Sequence, residues 1–309
     1  MNNRRRLKSL GLSLLSAILS ASCEPAIGED APAGRPLKSI STFADRPVVE
    51  LAFTDRRDPL VAGKFRKPLV DHLTWRTPYR FRVLSVPQSE TTIGMLEQRL
   101  ADAALLSVVS YLEAHRQLGV VPLVRPLNRD GEPVSYGVFV VQEESPLREL
   151  GDLEGRSLAL GSFHSTLSNL IPRHELIRAG VKPENLGTIE HLQDDEAVAD
   201  AVVEGRVDAG AVEDLVAHRF EEKGLRILHI SDPVPSSPFV VRQKLPQAVA
   251  EALRDALLEL DFEGVDGRQH WEEDIRFGFA PATDADYDPV RNILRSSPTG
   301  CTRTCHGNP

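Results

Sequence analysis

From residue 48 to about residue 260, strand-like and helix-like runs alternate, and a chain patterned this way has few ways to fold. Val48–Phe53 reads as a buried strand, and Tyr79–Leu84 alternates as a half-buried one. Between them, Lys64–Trp75 carries a helical apolar pattern. Thr91–Leu100 predicts a second helix, with Ser89 as its candidate cap. Ala103–Leu106 predicts a short strand, Val108–Leu118 a third helix, and the β-branched and aromatic run Tyr136–Val141 another strand.

The theme continues in the second half. Ser157–Gly161 predicts a strand running into a helix that begins near Ser165. Asp194–Glu204 predicts a helix followed by a strand at Val207–Val212. Leu225–Ile230 and Phe239–Arg242 are further predicted strands, and Gln247–Leu260 a long amphipathic helix behind Pro246. The runs Arg99-Leu100-Ala101-Asp102-Ala103-Ala104 and Gly205-Arg206-Val207-Asp208-Ala209-Gly210 echo each other: a helix end, an aspartate, then a small-residue strand. Two such halves predict two lobes facing a cleft, each a mainly parallel sheet covered by helices. Ligands of open α/β sheets sit at the carboxyl ends of the strands.

The first residues are of another kind. Arg4, Arg5, Arg6 and Lys8 precede the apolar run Leu10–Ala21, and small residues lead to Cys23, which is the pattern of an export signal over residues 1–22. The placement of Cys23 resembles the lipobox of bacterial lipoproteins, with the preferred leucine one place early at Leu19; simple cleavage is the alternative. Residues 23–47, rich in Pro, Ala, Gly and charge, read as a flexible tether. Losing the four basic residues of the signal takes the formal net charge from −9 to −13, which argues against a nucleic-acid partner.

Four stretches resemble the phosphonate/phosphate/phosphite-binding proteins of ABC importers, over nearly all of residues 48–295. They are Arg99 to Ala104 with Ser110-Tyr111, Ser145 to Arg156, Ser165 to Pro172, and the C-terminal run Gly278 to Arg291. The resemblance implies an α/β, two-lobed periplasmic-binding-protein fold of type II, hinged at a two-strand crossover. Lobe 1 would comprise residues 48–137 plus 239–295, lobe 2 residues 138–238, and residues 296–309 a tail. The crossings are expected near Val138–Val141 and Phe239–Val241. The implied function is capture of a small phosphorus oxyanion and its delivery to an ABC permease, by a monomer on the outer face of the membrane, touching lipid only through the Cys23 anchor. A lipoprotein of the same fold that signals to a receptor is the alternative.

The resemblance also locates a ligand site. Ser165 and Thr166 stand where a strand gives way to a helix, so free amides, roughly half a charge of helix dipole and two hydroxyls converge there. Without the resemblance Ser165 reads as a plain helix cap. The family's third hydroxyl is replaced by Leu167, with Ser168 displaced by one, and its two contacting tyrosines align with Ser89 and Ser135, Tyr136 lying next to the latter. Its anion-contacting histidine aligns with Asp195, and its amine-recognising carboxylates with Leu215 and Ser237, which disfavours an aminoalkyl phosphonate. Ionised Asp195 can only accept hydrogen bonds, so beside the ligand it predicts selection of a protonated phosphorus oxyanion over sulfate. The other reading makes Asp195 an exposed acid at a helix start. His164 and His191 could supply a cation there, or simply be solvated loop residues.

Nothing in the chain matches a nucleophile elbow, a Gly-rich phosphate loop or a His-Glu-x-x-His zinc motif, so no enzyme, cofactor or metal site is predicted. The tail run Cys301-Thr302-Arg303-Thr304-Cys305-His306 reads as a local disulfide, with an irregular haem attachment or a metal pair as alternatives.

Overall fold

The structure, a computed structural model, describes residues 43–53, 59–86, 91–260 and 275–296. The predicted signal with Cys23, most of the predicted tether, Ser89, and Cys301 and Cys305 lie outside the described residues. The chain runs through β1 (Val48–Phe53), α1 (Pro59–Arg76), β2 (Arg80–Leu84), α2 (Thr92–Glu97), β3 (Ala103–Leu105), α3 (Val108–Leu118) and β4 (Val121–Pro126). Then come β5 (Val134–Ser135), β6 (Gly137–Gln142), β7 (Leu158–Leu160), a π-turn (Thr166–Leu170), α4 (Ile171–Arg178), β8 (Ile189–His191) and α5 (Asp195–Val203). The remainder is β9 (Ala209–Glu213), α6 (Asp214–Glu221), β10 (Leu225–Ile230), β11 (Val234–Pro235), β12 (Phe239–Val241), α7 (Gln247–Leu258), β13 (Phe279–Pro281) and α8 (Asp288–Ser296).

Two sheets organise these elements. The first has strand order β13-β4-β12-β3-β1-β2 and the second β10-β6-β9-β7-β8. Parallel pairing, as predicted, joins β1 to β2 and β3, and β7 to β8 and β9. Both sheets are nevertheless mixed. β12 runs antiparallel to β3 and β4, and β6 antiparallel to β9 and β10. These are the strands by which the chain returns to the first sheet and reaches the second, so each arrives from the opposite end of its sheet. The passage itself is a two-strand ribbon, β5 paired antiparallel with β11. It lies a few residues ahead of the spans expected from the sequence, because Val138–Val141 and Phe239–Val241 are already fully buried sheet strands.

Period-two alternation sends each strand into two cores. In β1, Val49, Leu51 and Phe53 pack with α1 and α7, while Ala52 faces the cluster under α2, α3 and α8. In β6, Val138 and Val140 pack under α5 and α6, whereas Phe139 and Val141 face Leu150, Leu153 and Leu176. One cluster crosses between lobes: Leu170 and Ile171, at the start of α4, are buried with Leu106, Val108 and Tyr111 of the first lobe. At about 1.5–3 kcal/mol for each buried large aliphatic side chain, this packing holds the α4 start against α3.

Helix boundaries follow local chemistry. The hydroxyl of Ser107 accepts the Ser110 N–H at the start of α3, and Gly119 ends that helix in the left-handed region at φ 67°. At α2 the cap is Thr91, which accepts from Gly94 N–H, rather than the predicted Ser89.

Candidate functional site

Two helix starts meet between the lobes. On the first-lobe side is the N-terminus of α3, carrying Ser107, Val108 and Val109. On the second-lobe side is the turn from β7 through Ser165 and Thr166 into α4. Val109 N–H donates to Thr166 Oγ1 at 3.0 Å, and Ser107 Oγ donates to the His164 carbonyl at 2.9 Å. Thr166 is 3% exposed, so its hydroxyl is held at the interface rather than in solvent. Both helices thus aim their N-terminal amides and the positive ends of their dipoles into one region, the arrangement that favours an anion.

The second-lobe turn is a π-helix, its first bond running from Leu170 N–H to the Ser165 carbonyl at 3.2 Å. Five-residue spacing widens the first turn compared with an α-helix. Ser165 caps it, accepting the Ser168 N–H at 3.1 Å, so the cap reading of this residue is met. The preceding loop is pinned on both sides. Asn169 Nδ2 donates to the Phe163 carbonyl at 3.0 Å, and Gly161 N–H donates to the Ser168 carbonyl at 2.9 Å.

The other residues singled out from the sequence disperse. Ser168 is fully buried and turns inward, its hydroxyl 2.6 Å from Ser165 Oγ. Leu167 packs against the cluster shared by the lobes. The ring of Tyr136 packs against the core under α5 and α6; burial pushes its hydroxyl up, with help from Glu132, Asp214 and Asp130. Ser135 lies in the crossover ribbon, 3.5 Å from Ser236 Oγ. Cys23 and Ser89 fall outside the described residues.

Asp195 is not an exposed acid at a helix start. Asp194 is the cap of α5, accepting the Ala197 N–H at 2.8 Å, while Asp195 turns its carboxyl beneath the β7 turn. There its Oδ2 accepts the Glu213 N–H at 2.7 Å, and Ser168 provides a side-chain hydrogen bond. Burial raises this carboxyl above the ordinary range, against the opposing pull of those two hydrogen bonds.

His191 differs from the solvated loop residue expected. Its Nδ1 lies 2.9 Å from the Gly161 carbonyl and its Nε2 2.9 Å from Arg173, so Nδ1 carries the proton and Nε2 accepts from the guanidinium. Burial lowers its pKa. It is therefore a neutral prop for the loop ahead of Ser165, stacked on the half-exposed ring of Phe163 at 3.8 Å.

The C-terminal run is structural. Asp284 accepts from Tyr111 at 2.6 Å and from Arg291 at 2.7 Å, and Asp286 binds Arg125 at 3.0 Å, which ties α8 to α3 and β4. Sequence reasoning missed Ser107 and the Val109 amide. A serine directly before the helical run Val108–Leu118 was the signal available for the first; nothing local marks the second.

Among the described residues no helix is long and apolar enough to cross a membrane. Residues 51–287 match the family of periplasmic substrate-binding proteins of phosphonate ABC transporters. Solved structures of similar fold include a Pseudomonas aeruginosa binding protein component of an ABC phosphonate transporter, with 18% identity, TM-score 0.69, and 81% of this chain and 86% of that one covered. A Prochlorococcus marinus protein in complex with methylphosphonate superposes with TM-score 0.71 at 18% identity, over 80% of this chain and 97% of that one. A Xanthomonas citri protein bound to ATP gives TM-score 0.64 at 22% identity, over 80% and 96%. These likenesses place the fold among type II periplasmic binding proteins.

Proposed function

The chain belongs to the periplasmic substrate-binding proteins of phosphonate ABC transporters, and from that premise we propose that it captures a phosphonate, phosphate or phosphite-like oxyanion between its lobes and passes it to the permease. One observation carries this reading: the N-termini of α3 and of the Ser165–Thr166 turn converge, joined by Val109 N–H and Thr166 Oγ1 at 3.0 Å. An oxyanion seated there takes backbone amides from both lobes, so its binding rewards the closed arrangement that a permease recognises. The fold delivers these donors although the chain is acidic overall, because the local dipoles and amides, not the net charge, face the ligand.

Membership of the family implies an extracytoplasmic location. The basic start, apolar run and Cys23 support export and lipid attachment at Cys23, with residues 24–47 as tether; mass spectrometry of the mature N-terminus reads that modification directly. The lobe boundaries proposed are residues 48–137 plus 239–295 and residues 138–238.

Isothermal titration of the purified protein with methylphosphonate, phosphate and sulfate tests the reading. Thr166→Val keeps the shape and removes the hydroxyl. It should weaken phosphorus-oxyanion binding about tenfold, the equivalent of one hydrogen bond of ~1.4 kcal/mol. Unchanged affinity would remove Thr166 from the site, and equal affinity for sulfate would overturn the assignment to phosphorus oxyanions.

A further inference from the structure

Behind Ser165 lies a tier of polar groups. Ser165 Oγ is 2.6 Å from Ser168 Oγ, and Ser168, fully buried, is hydrogen-bonded in turn to the carboxyl of Asp195. The far side of that carboxyl is fixed, since its Oδ2 accepts the Glu213 N–H at 2.7 Å. Gly161 closes the tier from above. A Cβ there would stand 2.1 Å from Ser168 Oγ and 3.1 Å from Asp195 Oδ1, so only glycine lets the turn lie on the pair.

Each hydroxyl has a single proton to donate, so a carboxyl–hydroxyl–hydroxyl series admits two consistent directions. With Asp195 ionised, Ser168 donates to it and Ser165 donates to Ser168, leaving Ser165 only lone pairs to present to the cleft. With Asp195 protonated, every bond reverses: the carboxyl donates to Ser168, Ser168 to Ser165, and the Ser165 proton is free to point at a ligand oxygen. An anion selects the second direction.

We infer that Asp195 is a positioning residue that acts on the bound oxyanion through Ser168 and Ser165, and that filling the site draws one proton from solvent onto Asp195. The inference rests on the oxyanion reading above. It makes Asp195 a partner of the anion turn without contact with the ligand.

The surroundings suit a carboxyl that changes state. Burial raises its pKa, and the nearby Asp194 on α5 adds to that. Arg219 on α6 acts in the opposite sense, but it is also engaged by Glu196 at 3.0 Å. β9 offers the Glu213 amide, and the β7 turn offers Gly161 and Ser168, all uncharged. Beyond Gly161, His191 is held neutral against Arg173. An arriving anion raises the carboxyl further by like-charge repulsion.

Asp195→Asn is the informative change. Its carbonyl oxygen can keep the Glu213 N–H while its NH2 donates to Ser168, locking the direction that turns the Ser165 proton outward. Titrate methylphosphonate into wild type and Asp195→Asn from pH 5.5 to 8.5, in two buffers of different ionisation enthalpy. The ligand's own ionisation is common to both proteins and cancels in their ratio. The two should bind alike at the acid end. Wild type should then fall behind by about tenfold per pH unit above the Asp195 pKa, while taking up more protons per ligand than the variant. In a Ser168→Ala background, Asp195→Asn should make no difference, because the link is cut. If wild type and variant bind with the same pH profile and the same proton uptake, the inference is overturned while the oxyanion reading stands. If neither protein, nor Ser168→Ala, binds at any pH with circular dichroism unchanged, the oxyanion reading fails and takes the inference with it.

Discussion

The same turn is built twice in this molecule, once in each lobe, from different residues. After α2, Leu100 N–H bonds back to the Met95 carbonyl, and after α5, Arg206 N–H bonds back to the Ala201 carbonyl, both at 2.9 Å. The left-handed position in each is C-terminal to the helix: Arg99 at φ 57° in the first lobe and Gly205 at φ 68° in the second. Three residues on, an aspartate accepts an amide of the neighbouring parallel strand. Asp102 takes Glu50 N–H at 3.1 Å, and Asp208 takes Ser157 N–H at 2.8 Å. The aspartate clamp is what the two copies share, and the turn residue is what varies. The first lobe tolerates a non-glycine there, and its clamp has a second anchor, Arg242 Nε donating to Asp102 at 2.8 Å from just after β12. Arg156 stands at 3.8 Å from Asp208 and is half exposed.

The lobes also differ behind their helix starts. Ser107 is hydrogen-bonded to the buried Ser110 hydroxyl at 3.0 Å, much as Ser165 is to Ser168, but behind Ser168 stands the carboxyl of Asp195. A pair of hydroxyls does not titrate and only positions donors. A backing that titrates can also answer the charge of what binds.

Gly161→Ala should strike that difference hardest. Its added methyl overlaps Ser168 Oγ and must push the tier apart, destabilising the protein by about 1–3 kcal/mol and weakening methylphosphonate binding at least tenfold by calorimetry. If Gly161→Ala left binding intact, the second-lobe tier would matter no more than the Ser107–Ser110 pair of the first lobe.

The two clamps come next. Asp102→Asn loses a charge-assisted bond to Arg242 and should lower stability in urea by about 1.5–3 kcal/mol, more than Asp208→Asn does. Asp208 has a pH signature of its own. The Ser157 hydroxyl, then its amide, hold this carboxyl below the ordinary range against burial. A depressed carboxyl contributes stability above its unfolded pKa and loses it as pH falls through the folded value. The gap in melting temperature between wild type and Asp208→Asn should therefore close in acid.

The turn residues should give the smallest effects. Gly205→Ala forces a side chain into the left-handed region and should cost about 1 kcal/mol. Arg99→Gly relieves the same strain and should stabilise by roughly 0.5 kcal/mol, the remainder lost to a freer unfolded chain. Opposite signs at the two positions would confirm that one turn is being compared with itself.

Much of this fold was legible before any coordinates. Helix α3 spans the predicted run Val108–Leu118, and the Asp102 and Asp208 echo proved to be a shared clamp. β4 was not legible. Two prolines weaken any strand pattern, yet the strand lies between β12 and β13, with Pro122 at a register shift and Pro126 at its end, where a missing N–H is tolerated. Strand β8 and helix α6 are too short to announce themselves. Within the candidate site, Ser165 and Thr166 are picked out by the resemblance of the run Ser165 to Pro172, because by itself a strand-to-helix junction with hydroxyls reads as a helix cap.

The sequence by itself determined the alternation of strands and helices, the apolar faces they bury and the duplicated turn. These depend on residues within a few positions of each other, where backbone geometry imposes its own period. Only the tertiary structure decided that Thr166 would meet Val109, that Asp195 would turn beneath Ser168, and that His191 would brace the turn after β7. Each of those contacts joins residues from different elements. Whether a carboxyl there is exposed, paired or buried depends on what the rest of the chain packs around it.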